Sequence, residues 1–466
     1  MRTFVAALAL ALVLAVPAAA QGTRSGLAQR LDSISRAWLA AGPSAGVTVA
    51  VVRGRDTLLM EGLGLRDRER ALPATAATVY RVGSITKQFT AAAVLQLVEA
   101  GRIGLGDPIT KYLPQYPQWS AVTVRQLLDH TSGIPSYTAS PAWARTWNSD
   151  LTPTQLVDFV ARDTVDFAPG TRWNYDNTGY VLLGMILDRV TGTPYPQYVR
   201  QHFFVPLGMR SAAYCPSTPV ATDDAKGYDR TDSDVRPTTY LSMTHPYSAG
   251  ALCMNVPDYL RWQTALTSGR VVSPASYAMM SRSDTLNDGS ATKYGFGLAP
   301  AMLGTHRLIM HGGAVNGFNT EQSWYPDDSL RVVVFTNTAR SHPEALEQAL
   351  AAAVLGVELP PPAAPASAAS APPPTVALPM PAARYVGIYD IKVTNRTLVT
   401  HITATPEGLT MQAEGQRAFP LRHIGEGTFA ADFDPTLRVS FTFPATGPAT
   451  MRVAQRGQVF EGPRRP

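Results

Sequence analysis

Ser84 and Lys87 stand three residues apart in the run Tyr80-Arg81-Val82-Gly83-Ser84-Ile85-Thr86-Lys87-Gln88-Phe89, a spacing that puts a hydroxyl and an amine on one face of a helix. A serine hydroxyl becomes a strong nucleophile only when something takes its proton. A lysine whose pKa is lowered by burial or by a second cation can do so. Behind the pair, Thr90 to Ala100 is rich in good helix formers and ends at Gly101, a plausible C-terminal cap. The start of such a helix offers backbone N–H groups and a positive partial charge, which favour negative charge developing beside Ser84. The chemistry implied is covalent attack by Ser84. The spacing alone is cheap, because Ser290-Ala291-Thr292-Lys293 also fits and has no helix pattern behind it. A bare match is most often an N-cap serine with a solvated lysine.

Three further stretches bear on Ser84. Val124 to Pro135 contains Leu127-Leu128-Asp129-His130-Thr131-Ser132-Gly133 and predicts a short helix stopping at Gly133, its individual residues reading as a capped helix end. Phe167-Ala168-Pro169-Gly170 leads to Tyr175-Asp176-Asn177 and a helix from Val181 to Val190. Tyr175 and Asn177 lie two apart at that loop-to-helix junction, where alternate side chains of an extended segment face the same way; alone, they read as a turn and a helix cap. The third stretch, Met310-His311-Gly312-Gly313-Ala314, sits at the edge of a strand, where glycines allow a ligand close to the backbone. His311 read by itself is a hydrogen-bonded strand histidine.

In this order the stretches resemble the serine β-lactamase and penicillin-binding-protein superfamily, in its class C β-lactamase, DD-peptidase and D-aminopeptidase-like branch, over about residues 25 to 355. The superfamily's S-x-x-K, Y-x-N and K-T-G or H-x-G look like Ser84-Ile85-Thr86-Lys87, Tyr175-Asp176-Asn177 and His311-Gly312-Gly313. The resemblance implies that Ser84 is acylated and that Lys87 and Tyr175 share its proton. A tyrosine near cations approaches phenolate character, so which of the two is the base stays open. It further implies that Asn177 bonds the substrate amide and positions Lys87, that Gly313 lets substrate approach, and that the N–H groups of Ser84 and Ala314 form an oxyanion hole. His311 stands where many relatives carry lysine. An imidazole grips a substrate carboxylate less firmly than an ammonium does, which looks more like relatives acting on D-amino-acid peptides, other amides or simple esters. The implied activity is hydrolysis of an amide or ester bond (β-lactam, D-amino-acid peptide or ester) through a Ser84 acyl-enzyme. The alternative is a penicillin-binding sensor or binding protein that acylates with little turnover.

The elements that must position these residues are legible as periodic patterns. Gly26 to Ala41 predicts a surface helix, and Gly46–Val52 with Thr57–Glu61 an antiparallel hairpin. Strands return at Leu308–Met310, Glu321–Tyr325 and Leu330–Thr336, with a mostly helical stretch between the two groups. The fold class expected is α+β, an antiparallel sheet flanked by helices and carrying a helical lobe, with a cleft walled by loops such as Tyr137–Asp150 and Pro216–Tyr247. Residues 356–382 are rich in proline and alanine and read as a linker. Residues 383–466 show seven or eight short alternating segments, a small antiparallel β-barrel. Its Tyr385-Val386-Gly387-Ile388-Tyr389 start resembles the lipocalin-like accessory domain of some relatives.

Residues 1–20 carry Arg2, an apolar run from Phe4 to Val16 and small residues before Gln21, the pattern of a signal peptide. The hydrolase domain is therefore expected over 21–355, periplasmic or secreted. No later stretch reads as a membrane span. Cys215 and Cys253 are the chain's two cysteines; in an oxidising compartment they read as a disulfide worth roughly 2–4 kcal/mol, or as two buried thiols if geometry forbids it. The net charge of +5 comes from dispersed arginines and argues against nucleic acid. The eight histidines form no metal-binding pattern. No cofactor or metal is expected, the partner being a small-molecule or peptide substrate.

Overall fold

The computed structural model describes residues 18–42, 44–162, 164–218, 222–231, 234–359, 378–393, 396–405, 408–413, 419–425, 427–431, 434–455 and 458–465. Most of the signal peptide expected over 1–20, namely 1–17, and most of the expected linker, 360–377, lie outside the described residues. By its internal contacts the chain divides into two units, 1–359 and 360–466.

The first unit is built on one seven-stranded antiparallel sheet. Its strands are β1 (Gly46–Arg53), β2 (Asp56–Asp67), β3 (Ala299–Leu303), β4 (His306–Val315), β5 (Phe318–Tyr325) and β6 (Leu330–Thr336), with Leu72–Pro73 at one edge. From that edge the order is β2, β1, β6, β5, β4, β3. The first and last parts of the unit therefore meet in the middle of the sheet, Val49 opposite Val334. Both central strands are dominated by β-branched residues and are buried on both faces, the environment where such side chains fit best. Val47, Val49 and Val51 pack with residues of α1 (Ala18–Ala41) and of the last helix, Pro343–Leu355. Ala50, Val333 and Phe335 face the opposite way, into the core shared with α2 (Thr86–Glu99).

That second helix runs through the interior. Every residue from Thr86 to Leu95 is buried, as expected for a helix apolar nearly all round. Its polar exceptions are satisfied, which fixes how the helix is turned. Thr86 Oγ1 accepts from Leu252 N at 3.1 Å, Thr90 Oγ1 donates to Ser248 O at 2.6 Å, and Gln88 meets Tyr259 and Trp262. Phe89 stacks on Trp262 with centroids 3.8 Å apart.

Two boundaries differ from expectation. The helix beginning at Val124 stops at Leu128, because His130 takes a left-handed conformation (φ 64°) before Gly133 does (φ 75°). The helix expected from Val181 spans Asn177–Thr191 (α3), because the Asp176 carboxylate caps the N–H groups of Thr178 and Gly179 at 2.7 and 2.8 Å.

The second unit is a closed eight-stranded antiparallel barrel whose first and last strands pair at Lys392 and Glu461. The strand Phe419–Gly425 is absent from the sequence reading, since Pro420 disguises it. Tyr385, Tyr389, Phe429, Met451 and their neighbours fill a core of its own.

β3 ends its pairing opposite Met310, so beyond that point β4 has a free outer edge, and the turn leading into Ser84 occupies it. Gly313 makes this possible: a Cβ there would lie 2.0 Å from Val82 O and 2.4 Å from Thr320 Oγ1. Gly313→Ala is therefore expected to lower stability by about 1–3 kcal/mol, the usual cost of overpacking. Urea unfolding checks it, and an unchanged midpoint would show that the strand and the turn can separate freely.

Candidate active site

Ser84 lies in a single 3-10 turn, Gly83–Ile85, that runs straight into α2, so Lys87 follows one helical step later. Lys87 is fully buried. Its Nζ contacts three oxygens: Ser84 Oγ at 3.2 Å, Asn177 Oδ1 at 2.8 Å and the Ala249 carbonyl at 2.9 Å. Burial lowers its pKa to about 7, and the negative charge of nearby Asp176 opposes that shift.

Asn177 opens α3, and its Oδ1 reaches Lys87 while Nδ2 donates to Thr138 Oγ1 at 3.2 Å. Both ends of the amide thus have protein partners. Tyr175 comes two residues earlier with its ring 4.7 Å from Lys87 Nζ. Its hydroxyl is buried without a hydrogen bond of normal geometry. Burial pushes the phenol pKa well up, and Ser84 is the group that works against this. The expected phenolate character is therefore corrected: despite the neighbouring amine, desolvation wins and Tyr175 rests as a neutral phenol.

His311 has both ring nitrogens engaged within the protein. Its Nδ1 lies 2.6 Å from Gly312 O, which only accepts, so Nδ1 carries the proton. Nε2 must then accept from the Tyr294 hydroxyl at 2.7 Å. Burial, followed by the charge of Lys87, lowers the imidazole pKa to about 4. The ring is neutral and both nitrogens are taken. Ala314 is exposed on the open edge of β4, and a Cβ on Gly83 would lie 2.7 Å from Ala314 N. The backbone of Ala314 thus comes up against the turn that carries Ser84. Cys215 and Cys253 lie together in a small buried cluster, but the disulfide expected between them is not formed. The two buried thiols lie side by side, close enough to raise the pKa of Cys215 beyond what burial alone does.

The second S-x-x-K match separates cleanly. Ser290 Oγ bonds Asp288 at 2.6 Å in a turn, and Lys293 is exposed. Tyr294, just after it, carries no sequence signal of its own and gains its place from the bond to His311. His130 was likewise read as a helix end. Its buried ring lies between Tyr175, Tyr180 and Tyr294, with centroids 4.3, 5.1 and 4.9 Å away. Its Nδ1 accepts from Asp176 N at 3.1 Å, locking the peptide between Tyr175 and Asn177. The Ala249 carbonyl had no sequence signal.

The two loops expected as separate walls form one. Ser242 N donates to Trp147 O at 2.9 Å, Leu151 N to Thr244 Oγ1 at 3.0 Å, and Trp143 Nε1 to His245 Nδ1 at 3.0 Å.

His130→Ala would leave Asp176 N–H buried and unpaired, at a cost of about 1–3 kcal/mol. His130→Asn should recover much of it, because asparagine tolerates left-handed backbone and offers an oxygen near the Nδ1 position. Equal losses in the two variants, measured by urea unfolding, would overturn this account.

Residues 31–357 match the family described as Beta-lactamase. The putative penicillin-binding protein PbpX of Bacillus subtilis is 30% identical over 292 residues, 62% of this chain and 70% of that protein. A D-aminopeptidase of Gluconobacter oxydans is 30% identical over 338 residues, 71% of this chain and 63% of that protein. Among solved structures, a D-stereospecific amidohydrolase from Streptomyces is 27% identical with a TM-score of 0.61, over 72% of this chain and 99% of that one.

Proposed function

The chain belongs to the Beta-lactamase family and is a serine hydrolase, and from the surroundings of Lys87 we propose that it cleaves an amide or ester bond, in D-amino-acid derivatives, through an acyl-enzyme on Ser84. The observation that carries the reading is the set of oxygens around Nζ. Ala249 O can only accept, and the Asn177 Oδ1 can only accept. A neutral amine has two N–H bonds and one lone pair. With both N–H bonds directed at those oxygens, the lone pair is left for the Ser84 hydroxyl.

Lys87 then takes the Ser84 proton as Oγ attacks the carbonyl. The backbone N–H groups of Ser84 and Ala314 receive the developing oxyanion. Tyr175, a neutral phenol beside Ser84, gives its proton to the leaving group and regains one from Lys87. Water then enters; Lys87 takes a proton from it as the water oxygen attacks the ester carbonyl, and that proton passes to Ser84 Oγ as the acyl bond breaks. Asn177 holds Lys87 throughout. The neutral, fully bonded His311 offers no charge to a substrate carboxylate, which supports amides and esters over carboxylate-bearing antibiotics. The D-aminopeptidase and D-stereospecific amidohydrolase relatives support the same class. The leader pattern supports a periplasmic or secreted enzyme; among the described residues no helix is long and apolar enough to cross a membrane.

The lysine pKa gives the sign of the pH dependence. The base form exists above about 7, so kcat/KM should fall as pH drops through that value, approaching tenfold per unit below it. A profile flat from pH 5 to 8 would exclude Lys87 as the base.

The direct test is intact-protein mass spectrometry of wild type and Ser84→Ala with a penicillin, a D-alanyl peptide and a p-nitrophenyl ester, following product. Wild type should form an adduct or turn over at least one of them, and Ser84→Ala should do neither. Adduct formation in both proteins would remove Ser84 as the nucleophile. A long-lived penicillin adduct with no turnover would favour the sensor reading.

A further inference from the structure

The second motif carries a residue with no role so far. Trp173 precedes Tyr175 by two and is 40% exposed, unusual for so large an apolar ring in a tightly built region. Its inner edge touches three aromatic rings that surround the reacting groups: Tyr294 at 6.0 Å, His130 at 6.2 Å and Tyr175 at 6.5 Å between centroids. Tyr175 in turn lies against Lys87. Trp173 thus extends the wall of the reacting centre outward into solvent.

The backbone that bears it is held from both sides. Gly170 N donates to Thr131 O at 2.8 Å and Asn174 N to His130 O at 3.0 Å, while Asn287 N donates to Gly170 O at 2.8 Å. Asn287 Nδ2 also bonds Pro169 O at 3.1 Å. A wall fixed in this way is preorganised, so little ordering is left to be done on binding. The inner lining, His311 and Tyr294, has its polar atoms bonded to each other or to backbone. The inner lining here is therefore aromatic, with its polar atoms already bonded.

We infer that Trp173 is a specificity-determining residue whose exposed ring receives an uncharged aromatic group of the substrate, selecting aromatic over small D-amino-acid derivatives. The inference rests on the function proposed above and names its substrate class more narrowly. Tryptophan offers a broad π surface, and an aromatic partner packs on it in an offset or edge-on arrangement. A methyl side chain would leave most of that surface wet.

The test compares kcat/KM for D-phenylalanine and D-alanine derivatives, each as the amide and the methyl ester, in wild type, Trp173→Ala and Trp173→Phe. Wild type should prefer the phenylalanine compounds. Trp173→Ala should reduce the ratio about five- to tenfold, chiefly through KM, the worth of one aromatic pair with its buried area. Trp173→Phe should keep most of the preference. The ratio guards against general damage to the site, which would lower both substrates together. If Trp173→Ala leaves the ratio unchanged while wild type cleaves these compounds, the inference falls and the proposed function stands. If wild type cleaves none of them but hydrolyses another class through Ser84, this substrate class falls with it.

Discussion

An amine without access to water must have its N–H groups bonded and its charge suppressed, and Lys87 meets both demands with parts drawn from across the chain. Asn177 lies 90 residues away in sequence and Ala249 162 residues away. Neither oxygen reaches Nζ unless α3 begins where it does and the Tyr247–Gly250 turn closes against α2. The burial of α2 from Thr86 to Leu95 is therefore a chemical requirement as well as a packing result. A helix with one wet face would leave the amine solvated and charged at neutral pH. The same burial explains why Thr86, Gln88 and Thr90 each have a partner, since loose polar groups in that interior would cost more than their replacement by alanine.

The sequence made most of the sheet, the three candidate stretches and their order legible, because each is a local pattern: β-branched runs, a loop-to-helix junction, glycines on a strand; the edge strand Ala299–Leu303 was not among them. It did not reveal contacts that exist only in three dimensions. The Ala249 carbonyl has no side chain to notice. Tyr294 gains its meaning from His311, and His130 from the Asp176 peptide, each across a gap no periodicity spans. Helix ends moved for local reasons, a left-handed His130 at one and an aspartate cap at the other. Cys215 and Cys253 do come together, as two buried thiols, the alternative the sequence left open beside a disulfide. In the barrel unit, Pro420 hid a strand that the closed hydrogen-bonded ring tolerates.

Tyr175 shows how two influences on one group are weighed. The Ser84 hydroxyl beside it favours the phenolate, but removal of the phenol from water opposes that and is the larger effect. That outcome changes the division of labour. A phenolate would compete with Lys87 for the Ser84 proton, whereas a neutral phenol can only donate until Lys87 has become charged. In the proposed mechanism the two groups are then sequential in their use of the proton, and a single base at rest is enough.

His311 fits the same logic. A lysine at that position would bring a second cation near Lys87 and depress its pKa by repulsion; a neutral imidazole does not. Here the lowering comes from burial, with the Asp176 charge pulling the other way. Asp176 is itself held by the first N–H groups of α3, and burial has raised its pKa to about 7. The carboxylate that caps the helix presenting Asn177 is thus the same group that limits how far Lys87 can be neutralised. A substrate without a carboxylate brings no negative charge to Lys87 and leaves this balance as burial sets it. A substrate carboxylate in the same place would favour the ammonium form and work against the lone pair that Ser84 needs.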